Sequence, residues 1–261
     1  MDILFDSHID EKIKHIKSAG FDGVVINLNE NEAPTETIEA VRQNGLVVQN
    51  LHLPYSRIND LWVNGTSGTE MIRGFMKQIE FAHAHKVPIV VLHITSGNIP
   101  PLLSEVGIER IKQIIAFCED HGVLLALENL RRLDYLLEVY DRCESDFLSF
   151  CFDIGHANAL TGNLYEFPWK NFSSKLCCFH LHDNDGSSDQ HLIPFMGNID
   201  WGKIIPYIFS LKKDIPITIE TYLLDWSKSF YTNMFSKDNF EAEFFKKTYQ
   251  AALAIESYLN E

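Results

Sequence analysis

The chain has 261 residues, 46% of them hydrophobic and 22% charged, with a formal net charge of −14 at pH 7. A chain of that length and composition buries the core of an ordinary globular protein, in one large domain or two small ones. The acidic balance argues against a polyanionic partner, because affinity for nucleic acid comes from Lys and Arg neutralising phosphates, so a small metabolite is the expected partner.

Eight short β-branched runs alternate with stretches of helical periodicity. In chain order they are DILF from residue 2, GVVINL from 23, LVVQNLH from 46, PIVVLH from 88, VLLALE from 123, LSFCFD from 148, LCCFHLH from 176 and PITIE from 216. Helices are expected between them, such as EKIKHIKSAG, closing on Gly20, and TETIEAVRQNG, closing on Gly45, with EFFKKTYQAALAIESYLN at the end. The runs are nearly all apolar rather than alternating, which suits strands buried on both faces of a parallel sheet. Eight such units in one chain match a (β/α)8 TIM barrel, expected here as a single domain over residues 1–261. An open doubly wound sheet is the competitor, but no GxGxxG or P-loop stands in the sequence.

No run approaches the roughly 18 to 20 apolar residues of a membrane span, and the start, MDILFDSHIDEKIK, lacks the apolar segment of a secretory signal. A soluble cytoplasmic protein with no membrane partner is the expectation. The five cysteines, Cys118, Cys143, Cys151, Cys177 and Cys178, have no CxxC spacing and are expected as reduced, mostly buried thiols.

Ligand-type residues recur at the ends of the strands: His52 on the third, His93 on the fourth, Glu128 on the fifth, Asp153 on the sixth, His180 on the seventh and Glu220 on the eighth. In a barrel these ends share one mouth. His156, three residues past Asp153, and Asp189 with His191, on the loop after the seventh strand, can lean over it. Taken singly, a strand-end His is more often a hydrogen-bonded structural residue, and a strand-end Asp is often a helix N-cap. Six at one rim are harder to dismiss, because converging carboxylates repel unless a cation compensates them. The mixed His and carboxylate set suits Zn²⁺, Mn²⁺, Co²⁺ or Fe²⁺, with Zn or Mn favoured and one to three ions, better than the oxygen-only shells of Ca²⁺ and Mg²⁺. The stretch DNDG superficially looks like a calcium loop. With Gly186 in the invariant glycine position, however, Leu181 and Leu192 fall where ligands belong. No GxSxG elbow is present, so Ser187 and Ser188 are read as turn residues.

The ordered motifs LHLPY (51–55), VLH (91–93), ALEN (126–129), FDIGHA (152–157), HLHDND (180–185), DQH (189–191), NIDW (198–201) and IET (219–221) together resemble the xylose isomerase-like TIM barrel superfamily, over essentially the whole chain. That group contains sugar-phosphate isomerases and epimerases and also AP endonucleases of the endonuclease IV type. The resemblance implies a shared metal site at Glu128, Asp153, His180 and Glu220, with the two glutamates as catalytic acid and base. In the endonuclease branch further ions are held by residues like His52, His93, His156, Asp189 and His191. The sequence departs from the group at FMG (195–197), where many relatives carry GEG, and in the run VVIN, where an acidic residue is common. The leading expectation is a metal-dependent isomerase or epimerase of a small sugar or sugar phosphate, in which Tyr55, His156, His182 and Arg131 contact substrate. For Arg131 the plainer reading is an exposed surface residue. The alternative is a multinuclear phosphodiesterase of the AP endonuclease type, or a barrel that retains metal only for binding.

Overall fold

The computed structural model describes residues 1–2, 8–30, 34–161, 164–211, 214–223 and 225–259. Six strands, β1 (Gly23–Asn27), β2 (Val47–His52), β3 (Ile89–Leu92), β4 (Leu124–Glu128), β5 (Leu148–Asp153) and β6 (Leu176–His180), form one sheet in the order β1-β2-β3-β4-β5-β6. Every neighbouring pair is parallel. They correspond to the second through seventh of the eight expected runs.

Among the described residues the two outer runs contribute one isolated bridge each. Asp2 bridges Val25 beside β1, and Ile219 bridges Leu181 beyond β6. The Asp2 N–H donates to the Ile219 carbonyl at 3.0 Å, so these two outer segments also touch each other. Pro216, at the head of the eighth run, has no N–H to give a ladder, which limits pairing there. Residues 3–5 of the first run lie outside the described residues.

Helices fill the crossovers: α1 (Ile9–Ala19), α2 (Thr35–Gln43), α3 (Thr66–Ala84), α4 (Glu105–His121), α5 (Leu133–Arg142), α6 (Ile154–Leu160), α7 (Trp169–Phe172), α8 (Trp201–Leu211), α9 (Asp225–Tyr231) and α10 (Phe240–Ser257). Their ends follow sequence signals. The Ser104 side chain accepts from the Gly107 N–H at the start of α4, and Gly20 and Gly122 take left-handed conformations at the ends of α1 and α4.

Apolar side chains on one face of the sheet pack against the helices in a large core. On the other face Ile89, Val91, Ala126, Cys151 and Cys178 form a separate cluster. This is why the strands read as continuous apolar runs: both faces are buried. Side chains alternate along a strand, so the residues two positions beyond Ala126, Cys151 and Cys178 share that inner face. Those residues are Glu128, Asp153 and His180.

Candidate functional site

The carboxyl ends of the strands surround a cavity of about 310 Å³ lined by His52, His93, Glu128, His156, Asp189, His191 and Glu220, together with Asn27, Tyr55 and Tyr222. Glu128, 1% exposed, is its centre. Its carboxylate lies 3.2 Å from His52 Nε2, 3.3 Å from His93 Nε2, 3.0 Å from His156 Nδ1 and 3.2 Å from His180 Nδ1. Glu220 approaches the same His180 Nδ1, also at 3.2 Å. A second grouping sits beside it, where Asp189 Oδ2 is 3.2 Å from His156 Nε2 and 3.0 Å from His191 Nε2. All nine residues expected as ligands are therefore brought together.

Asp153 combines the two readings open for it. Its Oδ1 accepts from the His156 backbone N–H at 2.6 Å and caps α6, while Oδ2 lies 3.6 Å from the His156 ring and 4.0 Å from His180. Both oxygens are 3.1 Å from His182 Nε2. His182 is fully buried and does not line the mouth; it stacks on His191 at 3.9 Å, and His191 stacks on Tyr222 at 3.8 Å. Tyr55 is half-exposed at the rim, 4.4 Å from the His93 ring centre. Arg131 is exposed and lines a smaller hollow that shares Ser96, Gly97, Leu130 and Leu160 with the mouth.

The donor set fits a divalent cation on three grounds. First, the Nδ1 atoms of His52, His156 and His191 face the backbone carbonyls of Leu53, Asn129 and Glu220 at 2.9, 3.0 and 2.9 Å, which fixes each ring and leaves Nε2 directed inward. Second, His93 Nε2, His180 Nδ1 and Glu220 Oε2 are buried without a well-formed hydrogen bond although carboxylates or imidazoles are near. A shared cation would satisfy such buried polar atoms. Third, His52, His93 and Glu128 form one compact ligand group, and His156, Asp189 and His191 form another that shares no residue with it.

The electrostatics agree. Burial pushes the Glu128 carboxyl up, but the nearby His93, His180 and His156 imidazoles outweigh it and hold it well below the usual range. Glu220 and Asp189 are held down in the same way by their histidines. Burial pulls His156 and His180 down, yet the adjacent carboxylates raise both well above 6.5, and His191 is raised to about 9. His93 differs, because burial outweighs Glu128 and lowers it. Without a cation, His156, His180 and His191 are thus the groups that favour the ionised carboxylates.

Several supporting residues were not singled out in the sequence. Tyr222 donates to Glu220 Oε1 at 3.1 Å, and the period of two in IETY carries that signal. The Asn129 side chain bridges to the backbone of Asp153, donating to its carbonyl at 2.8 Å and accepting from its N–H at 2.9 Å. Asn27, in the VVIN run that departs from the group, donates to Asp2 at 2.6 Å, so a carboxylate reaches that position from another segment. Asp183 binds no ligand-type group. It accepts from the backbone of Asn184, Phe195 and Ile199 and from Trp201 Nε1, which ties down the loop that carries Asp189 and His191. Within that loop Phe195 holds a φ of +74°, in the left-handed region.

An α/β protein with a parallel sheet and a histidine–carboxylate cluster at the strands' carboxyl ends is the class that fold and site define. The model of the xylose isomerase-like TIM barrel family matches residues 13–230, and the chain belongs to that family. Among curated proteins it is 30% identical over 187 residues to an uncharacterized protein of Methanocaldococcus jannaschii, covering 65% of this chain and 63% of that one. It is also 30% identical over 169 residues to an uncharacterized protein of Sinorhizobium fredii, covering 59% and 53%. The chain thus spans less than two thirds of the length of either relative. Among solved structures, a D-tagatose 3-epimerase-like protein aligns with a TM-score of 0.75 at 22% identity, over 100% of this chain and 98% of its own. D-psicose 3-epimerase with D-tagatose from Clostridium cellulolyticum aligns at 0.74 and 14% identity, over 98% and 95%. A 3-keto-D-glucoside 4-epimerase from E. coli aligns at 0.66 and 18% identity, over 97% and 96%. At these identities the structural likeness speaks for the fold.

Proposed function

We propose that the chain is a metal-dependent isomerase or epimerase acting on a small sugar or sugar phosphate, in a single-domain closed (β/α)8 barrel. Support for closure is the Asp2 to Ile219 hydrogen bond between the outer segments. The observation that carries the activity is the pair of buried carboxylates, Glu128 and Glu220, each 3.2 Å from His180 Nδ1.

A divalent ion, Zn or Mn by ligand chemistry, would be held by Glu128, Asp153, His180 and Glu220, and supplies polarisation of the substrate carbonyl and compensation of negative charge. The remaining work falls to the chain. One glutamate removes the proton from the carbon next to the carbonyl, leaving an enediolate, and the other gives a proton back. Return from the opposite face inverts that carbon; return to the neighbouring carbon moves the carbonyl. Tyr222 donates to Glu220 Oε1 and keeps that oxygen oriented while the other faces the substrate. The stacked His182, His191 and Tyr222 rings form a wall that holds Asp153 and Glu220 in place. The cavity, about 310 Å³, is at the small end for a ligand pocket and suits a monosaccharide better than a polymer. In this reading His156 and Tyr55 contact hydroxyls, and Arg131 meets a phosphate entering over the adjoining hollow.

One observation favours a second reading, a multinuclear phosphodiesterase: the two ligand groups that share no residue can hold two ions. The net charge of −14 opposes a nucleic-acid substrate. Metal counting on protein purified without chelator, followed by a ketose panel and an abasic DNA substrate, separates them. The isomerase reading predicts sugar interconversion and intact DNA; DNA cleavage with no sugar turnover would replace it by the second.

A further inference from the structure

Beneath the mouth the inner face carries a second group of metal-seeking atoms that the proposed chemistry does not use. Cys151 and Cys178 are cross-strand partners on β5 and β6, both fully buried. The register slips between Phe150 and Cys151: Phe150 pairs with Leu176, Cys151 with Cys178, and Cys177 is the extra residue. A bulge of this kind turns consecutive side chains toward one side. The Cys177 and Cys178 sulfurs accordingly lie only 3.8 Å apart, and the Cys178 thiol also contacts Cys151. None of the three is in a disulfide.

An ion held tetrahedrally by thiolates at about 2.3 Å keeps its sulfurs about 3.8 Å apart. The spacing in the bulge already matches that edge. There is also a way in. Cys177 lines a cavity of about 710 Å³ at the end of the sheet opposite the mouth; Asp22 and Glu256 line it too, and no lysine or arginine does among the described residues. Asp22 and Glu256 are thus the charged side chains along an otherwise mostly apolar path, and both attract a cation.

We propose that Cys151, Cys177 and Cys178 form a soft-metal site, entered from this lower cavity, that takes a thiophilic d¹⁰ cation such as zinc, cadmium or copper(I) separately from the mouth. Three sulfurs select such ions over the harder ones that His and carboxylate accept. Coordination replaces the three S–H protons, which pass to solvent through the cavity, and no sulfur is oxidised. A fourth position stays open to water. Cys151 also groups with Glu128 and His180, so an ion on the thiols sits directly under the mouth and shares a wall with it.

The test is a cadmium titration of the full chain already loaded with its mouth metal, read by the ultraviolet thiolate-to-cadmium charge-transfer band. The wild type is expected to give a band saturating at one cadmium per chain. Cys177→Ser, half-buried and so tolerant, should weaken binding about tenfold or more, since loss of even an outer partner costs that much. Cys118→Ser and His93→Ala should leave the band intact. Absence of the band in the folded wild type overturns the proposal. So does a band unchanged in Cys177→Ser, which would mean cadmium in the mouth touching Cys151 alone, or one lost in Cys118→Ser.

Discussion

Gly155 tests how far the mouth depends on what lies behind it. A Cβ at this position would stand 1.9 Å from His182 Cε1, 2.4 Å from Nδ1 and 2.5 Å from Nε2. Carbon atoms rest about 3.5–4.0 Å apart, so in Gly155→Ala the ring must retreat by about 1.5 Å or more. His182 is fully buried and cannot swing into solvent. That movement takes Nε2 from 3.1 Å to beyond hydrogen-bond range of both Asp153 oxygens. Loss of a bond to a carboxylate costs about 1.5–3 kcal/mol, and overpacking adds about 1–3 kcal/mol. Together these reach about 2.5–6 kcal/mol, which at about 2–4 °C per kcal/mol for a chain this size lowers Tm by about 5–24 °C. Calorimetry gives the melt and elemental analysis the metal content, which should fall as Asp153 loses its support. Gly74 in α3 is the control: nothing lies within 4 Å of its added Cβ, and Gly74→Ala should raise Tm slightly. A Gly155→Ala protein that melts and binds metal like the wild type would refute this packing.

Asp183→Asn keeps the shape but turns an NH2 toward donors that now share a carboxylate; stability should fall by about 3 kcal/mol in urea unfolding, and an unchanged midpoint would remove Asp183 from its role in the loop. Tyr222→Phe removes the hydroxyl on Glu220 Oε1 and should cut kcat by about tenfold or more while shifting the pH profile, whereas a change in KM alone would assign Tyr222 to binding. The metal-free chain gains from histidines whose folded pKa is raised, a gain fully present below about pH 6.5 and lost as pH rises through about 9 for His191. Metal needs those rings unprotonated, so the Tm increment on adding Zn²⁺ or Mn²⁺ should widen between about pH 6.5 and 9; a constant increment would show that no histidine proton is displaced.

The candidate site residues at the strand ends were legible because each closes an apolar run, as Glu128 closes VLLALE and Asp153 closes LSFCFD, and parallel strands bring such ends to one rim. Helix ends near Gly20 and Gly45 were equally readable from a residue that tolerates positive φ. What escaped was tertiary. Nothing in HLHDND says that His182 supports Asp153 from behind and that Asp183 holds a loop; those roles come from strand alternation and from packing across α6. Bulges also hide from sequence, since the extra residue at Cys177 is defined only by its partner strand. The eighth run reads like the others, yet among the described residues it pairs with the seventh through a single bridge, and Pro216 at its head has no N–H to give.

In the proposed reaction Glu128 and Glu220 move a proton on a sugar carbon next to a carbonyl. Metal-loaded protein incubated with ketoses in deuterium oxide, with the products followed by NMR, tests it most directly. The account predicts deuterium at that carbon, together with the epimer or isomer, and its loss in Glu128→Gln and Glu220→Gln variants that remain folded. Full-rate labelling by either variant, or interconversion without any label from solvent, would contradict it.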